Sequence, residues 1–255
     1  MRAATVARIN VTPLKSAALH HPDRVRVEPW GVVGNRAFFL VHDDGRLWNG
    51  SKQGSLVRLR ADLEGDRLAI AFPDGTRVDG PVAPSGTALR TDFYGRPVDG
   101  HVVPGPWDAP LAAFADGTPL RLVAPDAPGG ANDVEPLTLA SSASVAAIAE
   151  AGGATDALDA RRFRMTFDLD GCAAYEEDTW AGRVVGLGGA TVRILGAVPR
   201  CVVTTLDPTT GDRDFPTLSA IKRSRGVVDG DLPFGVYAEI VEPGEVAVGD
   251  PVVPR

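Results

Sequence analysis

GAVPRCVVTTLDPTTG, residues 196–211, combines a strand-like apolar run, a turn and one of the chain's two cysteines. β-Branched residues dominate positions 202–206, and Pro199 suits the first position or the edge of a strand. The pattern predicts a strand that delivers the Cys201 thiol to a site. Alternation along such a strand would point Arg200 and Cys201 to opposite faces, so activation of the thiol by this arginine would require a bulge.

Cys201 has a second interpretation, because free cysteine is among the most buried residue types. In that case it is a small hydrophobic side chain in the core. The stretch by itself favours the core interpretation, and both interpretations stay open at this point.

Composition indicates a globular protein built mainly from strands. The 255 residues are 44% apolar and 23% charged, and they include 29 glycines and 21 prolines, which favour short strands and turns over long helices. We predict a mainly β (α+β) fold with two packed β-barrel-like domains and a few short helices. The loose Pro- and Gly-rich region 104–136 places the boundary, giving domains 1–110 and 111–255.

Charge and cysteine content exclude several function classes. The net charge of −7 provides no general attraction to nucleic acid or to anionic membranes. Two cysteines are too few for a disulfide framework, and their spacing matches no zinc motif. No apolar run is long enough to span a membrane. We expect a cytoplasmic protein, and the sequence does not indicate an oligomeric state.

Periodicity and turn residues locate the elements. A helix is predicted over 141–151, capped by serines and ended by Gly152-Gly153, and a shorter one over 218–224, ended by Gly226. Strands are predicted at 5–11, 24–28, 37–42, 56–63, 67–72, 76–78, 120–123, 190–198, 233–240 and 246–253.

Taken in order, six further segments accompany the Cys201 stretch: TPLKS (12–16), GVVGNR (31–36), RFRMT (162–166), EEDTWAGR (176–183), PFGVY (233–237) and VGDPV (248–252). Together they resemble the MOSC family, named after the C-terminus of molybdenum cofactor sulfurase, with its N-terminal β-barrel domain. Departures occur at Asn35, where the family usually has Asp, and at Met165-Thr166, where it usually has Pro-Asn. A threonine hydroxyl cannot replace both the donor and the acceptor of an amide.

The resemblance implies roles for individual residues. Cys201 corresponds to the family's molybdenum ligand or to the site of a transferable sulfur. The implied cofactor-binding residues are Lys15, Ser16, Arg36, Ser141, Ser142, Arg164, Thr166, Arg200 and Tyr237. The paired acids Glu176 and Glu177 fit a solvated turn better than acid–base catalysis.

The implied function is a reductase that holds the molybdenum cofactor (Mo-molybdopterin) and acts on small N-hydroxylated or N-oxide compounds. A soft thiolate suits molybdenum, and arginine suits phosphate. Because the chain has no cysteine cluster for a second redox centre, electrons would come from a separate reductase. The alternative is a sulfur carrier or binding module in which Cys201 holds a persulfide and no metal.

Overall fold

The computed structural model describes residues 4–255. Its strands, in chain order, are β1 Ala4–Ile9, β2 Arg24–Glu28, β3 Gly31–Val32, β4 Phe39–His42, β5 Leu47–Trp48, β6 Arg60–Glu64, β7 Arg67–Ala71, β8 Arg77–Pro81, β9 Ala88–Phe93, β10 Arg96–Val102, β11 Leu120–Pro125, β12 Leu137–Ser141, β13 Phe167–Asp170, β14 Val184–Leu187, β15 Ala190–Pro199, β16 Pro233–Glu242, β17 Gly244–Ala247 and β18 Pro251–Pro254.

Seven of these strands close into a barrel, in the order β1-β13-β12-β16-β15-β14-β18. All pairs are antiparallel except β12 with β13, which is parallel and is connected through a helix. Alternating apolar side chains of these strands fill the barrel with a buried core that includes Ile9, Leu139, Phe167, Leu187, Ile194 and Val236. The barrel is a packed core, so any ligand site must lie outside it.

The N-terminal half forms open sheets around a second core. β5-β4-β11-β10-β9 make a five-stranded sheet, β6-β7-β8 a three-stranded one, and β17-β2-β3 a third that joins the two halves. The second core includes Leu40, Leu56, Ile70, Trp107 and Leu122. The predicted mainly β fold with β-barrel domains is therefore confirmed.

Three α-helices occur in residues 4–255: α1 Asp108–Phe114, α2 Ser142–Gly152 and α3 Thr217–Arg225. The side chain of Ser141 caps α2 by accepting a hydrogen bond from the Ser144 amide, and Gly153 ends it in the left-handed conformation. The helix predicted at this place is confirmed. In the described part of the chain no helix has the length and apolar character needed to cross a bilayer.

The stretch after β15 does not form the predicted strand. β15 ends at Pro199, and Val202–Thr205 is a 3₁₀ helix with Cys201 as its N-cap residue. Apolar runs of this length do not distinguish a strand from a short helical turn. The same error occurs at 56–63, where a 3₁₀ helix, Gly54–Arg58, precedes β6.

Candidate functional site

A cavity of about 510 Å³ opens between the barrel and the N-terminal sheets. Residues of the N-terminal half supply one wall and the loops after β15 and before β13 supply the other. The lining includes Lys15, Ser16, Arg36, Asn49, Tyr94, Asp133, Arg162, Arg164, Arg200, Cys201 and Tyr237. Its volume is in the range typical of small-molecule and cofactor sites.

Cys201 is exposed in this cavity, so the core interpretation is wrong. Its carbonyl oxygen accepts hydrogen bonds from the Thr204 amide, at 3.2 Å, and from the Thr204 hydroxyl, at 3.0 Å. Because the strand stops at Pro199 after a register shift against β16, alternation no longer separates Arg200 from Cys201. Both side chains line the same cavity, contrary to the separation expected for a regular strand.

Long-range contacts hold the 3₁₀ turn that carries Cys201. The Arg162 guanidinium is almost fully buried and forms a two-pronged ion pair with Asp214, at 3.0 and 2.9 Å. It also donates to the Thr204 carbonyl oxygen, which accepts a further bond of 2.6 Å from the Thr217 hydroxyl at the start of α3. The position of the thiol is thus fixed by residues distant in sequence.

Lys15 is a buried cation on the opposite wall. Leu14 bridges to Phe38, and the Lys15 amide donates to the Phe38 carbonyl oxygen, which fixes the loop. Its ammonium, 5% exposed, donates to the Ala131 carbonyl oxygen at 2.9 Å and to Asp133 Oδ1 at 2.6 Å. Burial lowers the pKa of Lys15 to about 8, although the Asp133 carboxylate opposes the shift.

Asp133 links Lys15 with Arg36, whose guanidinium donates to Asp133 Oδ2 at 3.1 Å. Burial favours a higher pKa for this carboxyl group, but the two cations outweigh that effect and hold its pKa well below its usual range. Nearly half of the Asp133 side chain remains accessible, on the side that faces the cavity. The carboxylate is therefore ionised within a cationic surrounding.

Two further arginines are held deep in the wall. Arg164 donates to the Ala17 carbonyl oxygen at 2.8 Å, and burial lowers its pKa to about 10. Arg200 donates through Nε to the Phe234 carbonyl oxygen, and its guanidinium lies 5.8 Å from the rings of both Phe163 and Phe234. Burial lowers the pKa of Arg200 to about 10 as well. With more cations than carboxylates close by, this wall favours an anionic ligand.

Backbone strain concentrates at the cavity. Among residues 4–255, seven non-glycine residues have positive φ, and four of them line this cavity: Ser16 at 71°, Arg36 at 49°, Tyr94 at 56° and Arg164 at 51°. Such conformations cost energy and tend to cluster at functional sites. The strain gives independent support for a ligand site here.

Three of the predicted cofactor residues do not line the cavity. Ser141 is fully buried and bonds to Ser144, Ser142 bonds to Asp170, and Thr166 bonds to Thr138. These partners satisfy the side chains within the fold, so capping and packing account for them. We therefore leave these three residues out of the candidate site and keep the remaining predicted residues as a proposal.

Glu177 corrects another expectation, because it is fully buried instead of lying on a solvated turn. Its Oε1 accepts hydrogen bonds from the Ser141 amide and from the Ser144 hydroxyl, at 3.1 and 2.7 Å. The carboxylate thus fixes the start of α2 against the following 3₁₀ helix, Glu176–Trp180. Its role here is structural.

Several cavity residues are not predicted from the sequence. Asp133 lies in the Pro- and Gly-rich segment that indicates only a domain boundary, and the RFRMT segment gives Arg162 no role of its own. Asn49 and Tyr94 lie at turns of the N-terminal sheets. The signal that could have found Tyr94 is the Tyr94-Gly95 dipeptide, because an aromatic residue is unusual at the tight turn that such a glycine indicates.

Comparison with known proteins fits this geometry. Residues 126–253 match the family model described as the MOSC domain, and residues 3–100 match the MOSC N-terminal beta barrel domain. The first match covers half of the chain and contains the Cys201 loop. The chain belongs to the MOSC family, and the resemblance seen in the sequence is confirmed.

Its curated relatives include the mitochondrial amidoxime reducing component 2 of Bos taurus, 25% identical over 97% of this chain and 82% of that protein. The mitochondrial amidoxime-reducing component 1 of Homo sapiens is 24% identical over 97% of this chain and 82% of that protein. The component 2 of Homo sapiens is 38% identical over a shorter region, 35% of this chain and 29% of that protein.

Proposed function

We propose that this protein is a molybdenum-cofactor-dependent reductase of small N-hydroxylated or N-oxide compounds. The observation that carries the proposal is an exposed thiol, Cys201, in the wall of a strongly cationic cavity. The protein's membership of the MOSC family supports the same activity, and so do the names of its relatives, which are amidoxime reducing components.

The donor set of the cavity fits the cofactor. Thiolate is a soft ligand suited to molybdenum, and the ammonium and guanidinium groups of Lys15, Arg36, Arg164 and Arg200 suit a phosphate and a pterin. Among residues 4–255, no group of three or more His, Cys, Asp or Glu side chains is arranged to hold a metal ion. A single protein thiolate fits a metal whose other ligands belong to the cofactor. The bound cofactor would supply two-electron oxygen-removal chemistry.

The reaction consumes external electrons. Conversion of R–NH–OH to R–NH₂ and water takes two electrons and two protons, and breaks the N–O bond. With two separate cysteines, the chain offers no ligand set for an iron–sulfur cluster, so we propose a separate electron-donor protein as partner. A cytoplasmic location stays a prediction, and the relatives' names place those proteins in mitochondria.

The test uses protein purified from a host that makes molybdenum cofactor. We expect stoichiometric molybdenum by elemental analysis, and reduction of hydroxylamine or an N-hydroxylated base to the amine with a reduced viologen as donor. Cys201→Ser should lose the metal or the turnover, while its cofactor-free form should unfold at the same temperature as cofactor-free wild type, because side-chain volume barely changes. Nicotinamide cofactors alone should support no turnover.

Cys172→Ala is the matched control. Cys172 is half-buried against the barrel core, and burial raises its pKa to about 12, so it is a poor thiolate. Full activity of this variant is expected, and its loss would show that the wrong thiol was chosen. Metal-free protein that carries a cyanide-labile sulfur on Cys201 and reduces no N-hydroxylated compound would support the sulfur-carrier alternative.

A further inference from the structure

Tyr94 is at the tip of the β9–β10 hairpin and lines the cavity. Phe93 pairs with Arg96, so the loop has two residues, Tyr94 and Gly95, and both have positive φ, 56° and 90°. This combination defines a type I′ turn, whose first central position favours Asn, Asp or Gly. A tyrosine there carries backbone strain that a polar residue would avoid.

The fold does not use the Tyr94 ring as core. The side chain is 65% exposed, although the ring faces a cavity wall and not open sheet surface. Val134, which also lines the cavity, is similarly exposed at 62%. Exposing an aromatic ring at a strained position brings no packing energy that would explain it.

A defined hydrogen bond nevertheless fixes the ring. The Asn49 amide nitrogen donates to the Tyr94 hydroxyl at 2.8 Å, and Asn49 is itself buried. The side-chain oxygen of Asn49, Oδ1, accepts from the Ser51 hydroxyl, at 2.7 Å, and from the Ser51 amide, at 3.2 Å. The phenol is therefore held in one orientation before any ligand binds, which reduces the entropy cost of binding.

Charge divides the cavity into two parts. The cations Lys15, Arg164 and Arg200 lie deep in the wall, whereas the rim carries the apolar faces of Tyr94 and Val134. An anionic cofactor suits the deep part. A second, uncharged and flat ligand suits the rim, because an aromatic face prefers planar apolar or unsaturated groups.

We infer that Tyr94 is a specificity-determining residue that recognises planar N-hydroxylated substrates, such as aryl amidoximes, by contact with its ring face. The inference rests on the proposed function for the identity of the reacting group. The binding preference itself depends only on the geometry of the rim.

The experiment compares wild type with Tyr94→Asn and Tyr94→Phe, as holoprotein. Asn is favoured at this turn, so Tyr94→Asn removes the ring and should unfold at the same or a higher temperature. Binding of N-hydroxybenzamidine, measured by calorimetry, should weaken about tenfold in Tyr94→Asn and by a smaller factor in Tyr94→Phe, which keeps the ring but loses the hydrogen bond from Asn49. KM for N-hydroxybenzamidine should rise by the same factor, whereas KM for hydroxylamine, which has no planar group, should rise less.

Asp116→Asn is the control, since Asp116 has φ of 53° in the turn after α1 and does not line the cavity. It should change neither binding nor kinetics. Unaltered N-hydroxybenzamidine binding in Tyr94→Asn, or no binding to wild type, would overturn the inference. A wild type that binds the compound through Tyr94 but reduces neither substrate would contradict the proposed function and leave the inference supported.

Discussion

Lys15 shows how a single residue makes the site depend on pH. Its ammonium is buried against Asp133, and burial lowers its pKa from 10.5 to about 8. The unfolded chain therefore binds more protons than the folded one between pH 8 and 10.5. The contribution of Lys15 to the free energy of unfolding therefore rises as pH increases through that window. Below pH 8 the contribution is lowest, because the folded protein must bury the charged ammonium.

We expect the cofactor-free protein to gain stability relative to Lys15→Met between pH 7 and pH 10. The gain should approach about 3 kcal/mol at most, from a shift of about 2.5 pH units at 1.36 kcal/mol each. Denaturant unfolding at a series of pH values measures the difference. A constant difference across the range would contradict the low pKa of Lys15.

The same group should affect the holoprotein in the opposite direction, because an anionic cofactor needs the charged ammonium. Retention of the cofactor is expected to weaken above pH 8 in wild type. Burial of this kind is not visible in the sequence, where any single lysine is most simply a solvated surface residue.

At the scale of elements, two glycines bring the Cys201 loop against the N-terminal half. A Cβ on Gly54, in the 3₁₀ helix Gly54–Arg58, would overlap the carbonyl oxygen of Gly211, and a Cβ on Gly211 would overlap that of Gly54. Both obstacles are backbone and cannot rotate away. The absence of side chains at both positions lets the turn that follows Cys201 pack directly against the backbone of the N-terminal half.

Gly54→Ala should therefore destabilise the protein by about 1–3 kcal/mol, through overpacking, and reduce cofactor retention by shifting the Cys201 loop. Chemical denaturation and elemental analysis measure the two effects. Gly86→Ala is the control, because a Cβ there meets no atom within 4 Å and its φ is not in the left-handed region. Equal stability of the two variants would show that the contact is not tight.

The elements differ in how completely their own residues determine their secondary structure. α2 was predicted within one residue because its Ser cap and Gly stop are local. The Cys201 turn was predicted wrongly because the contacts that hold it, Arg162 with Asp214 and Thr217 with Thr204, span 52 and 13 residues.

At the scale of the whole molecule, the two halves share strands. β1 pairs with β13 and β18 inside the barrel, and β2 pairs with β17. Conversely, β11, which the predicted division assigned to the second domain, pairs with β4 and β10 of the N-terminal half. The division into 1–110 and 111–255 remains a prediction, and we propose a boundary after Pro125 with β1 as part of the barrel.

A fragment of residues 126–255 should consequently fail to fold. Without β1, the edges of β13 and β18 are left unpaired and the barrel cannot close. We expect poor dispersion of amide signals by NMR and no cooperative melting, whereas the full chain should melt in a single transition. A well-folded fragment would show that β1 is dispensable for closure.

The sequence by itself determined the β-rich class, the helix with its caps and, through its ordered motifs, the family. Composition, turn residues and caps act locally, so they can be interpreted without coordinates. Tertiary structure alone decided that Arg200 and Cys201 face one cavity, that Asp133 lies between Lys15 and Arg36, and that Ser141 is core. Those outcomes depend on strand register, loop contacts and burial between distant segments, and no local pattern encodes them.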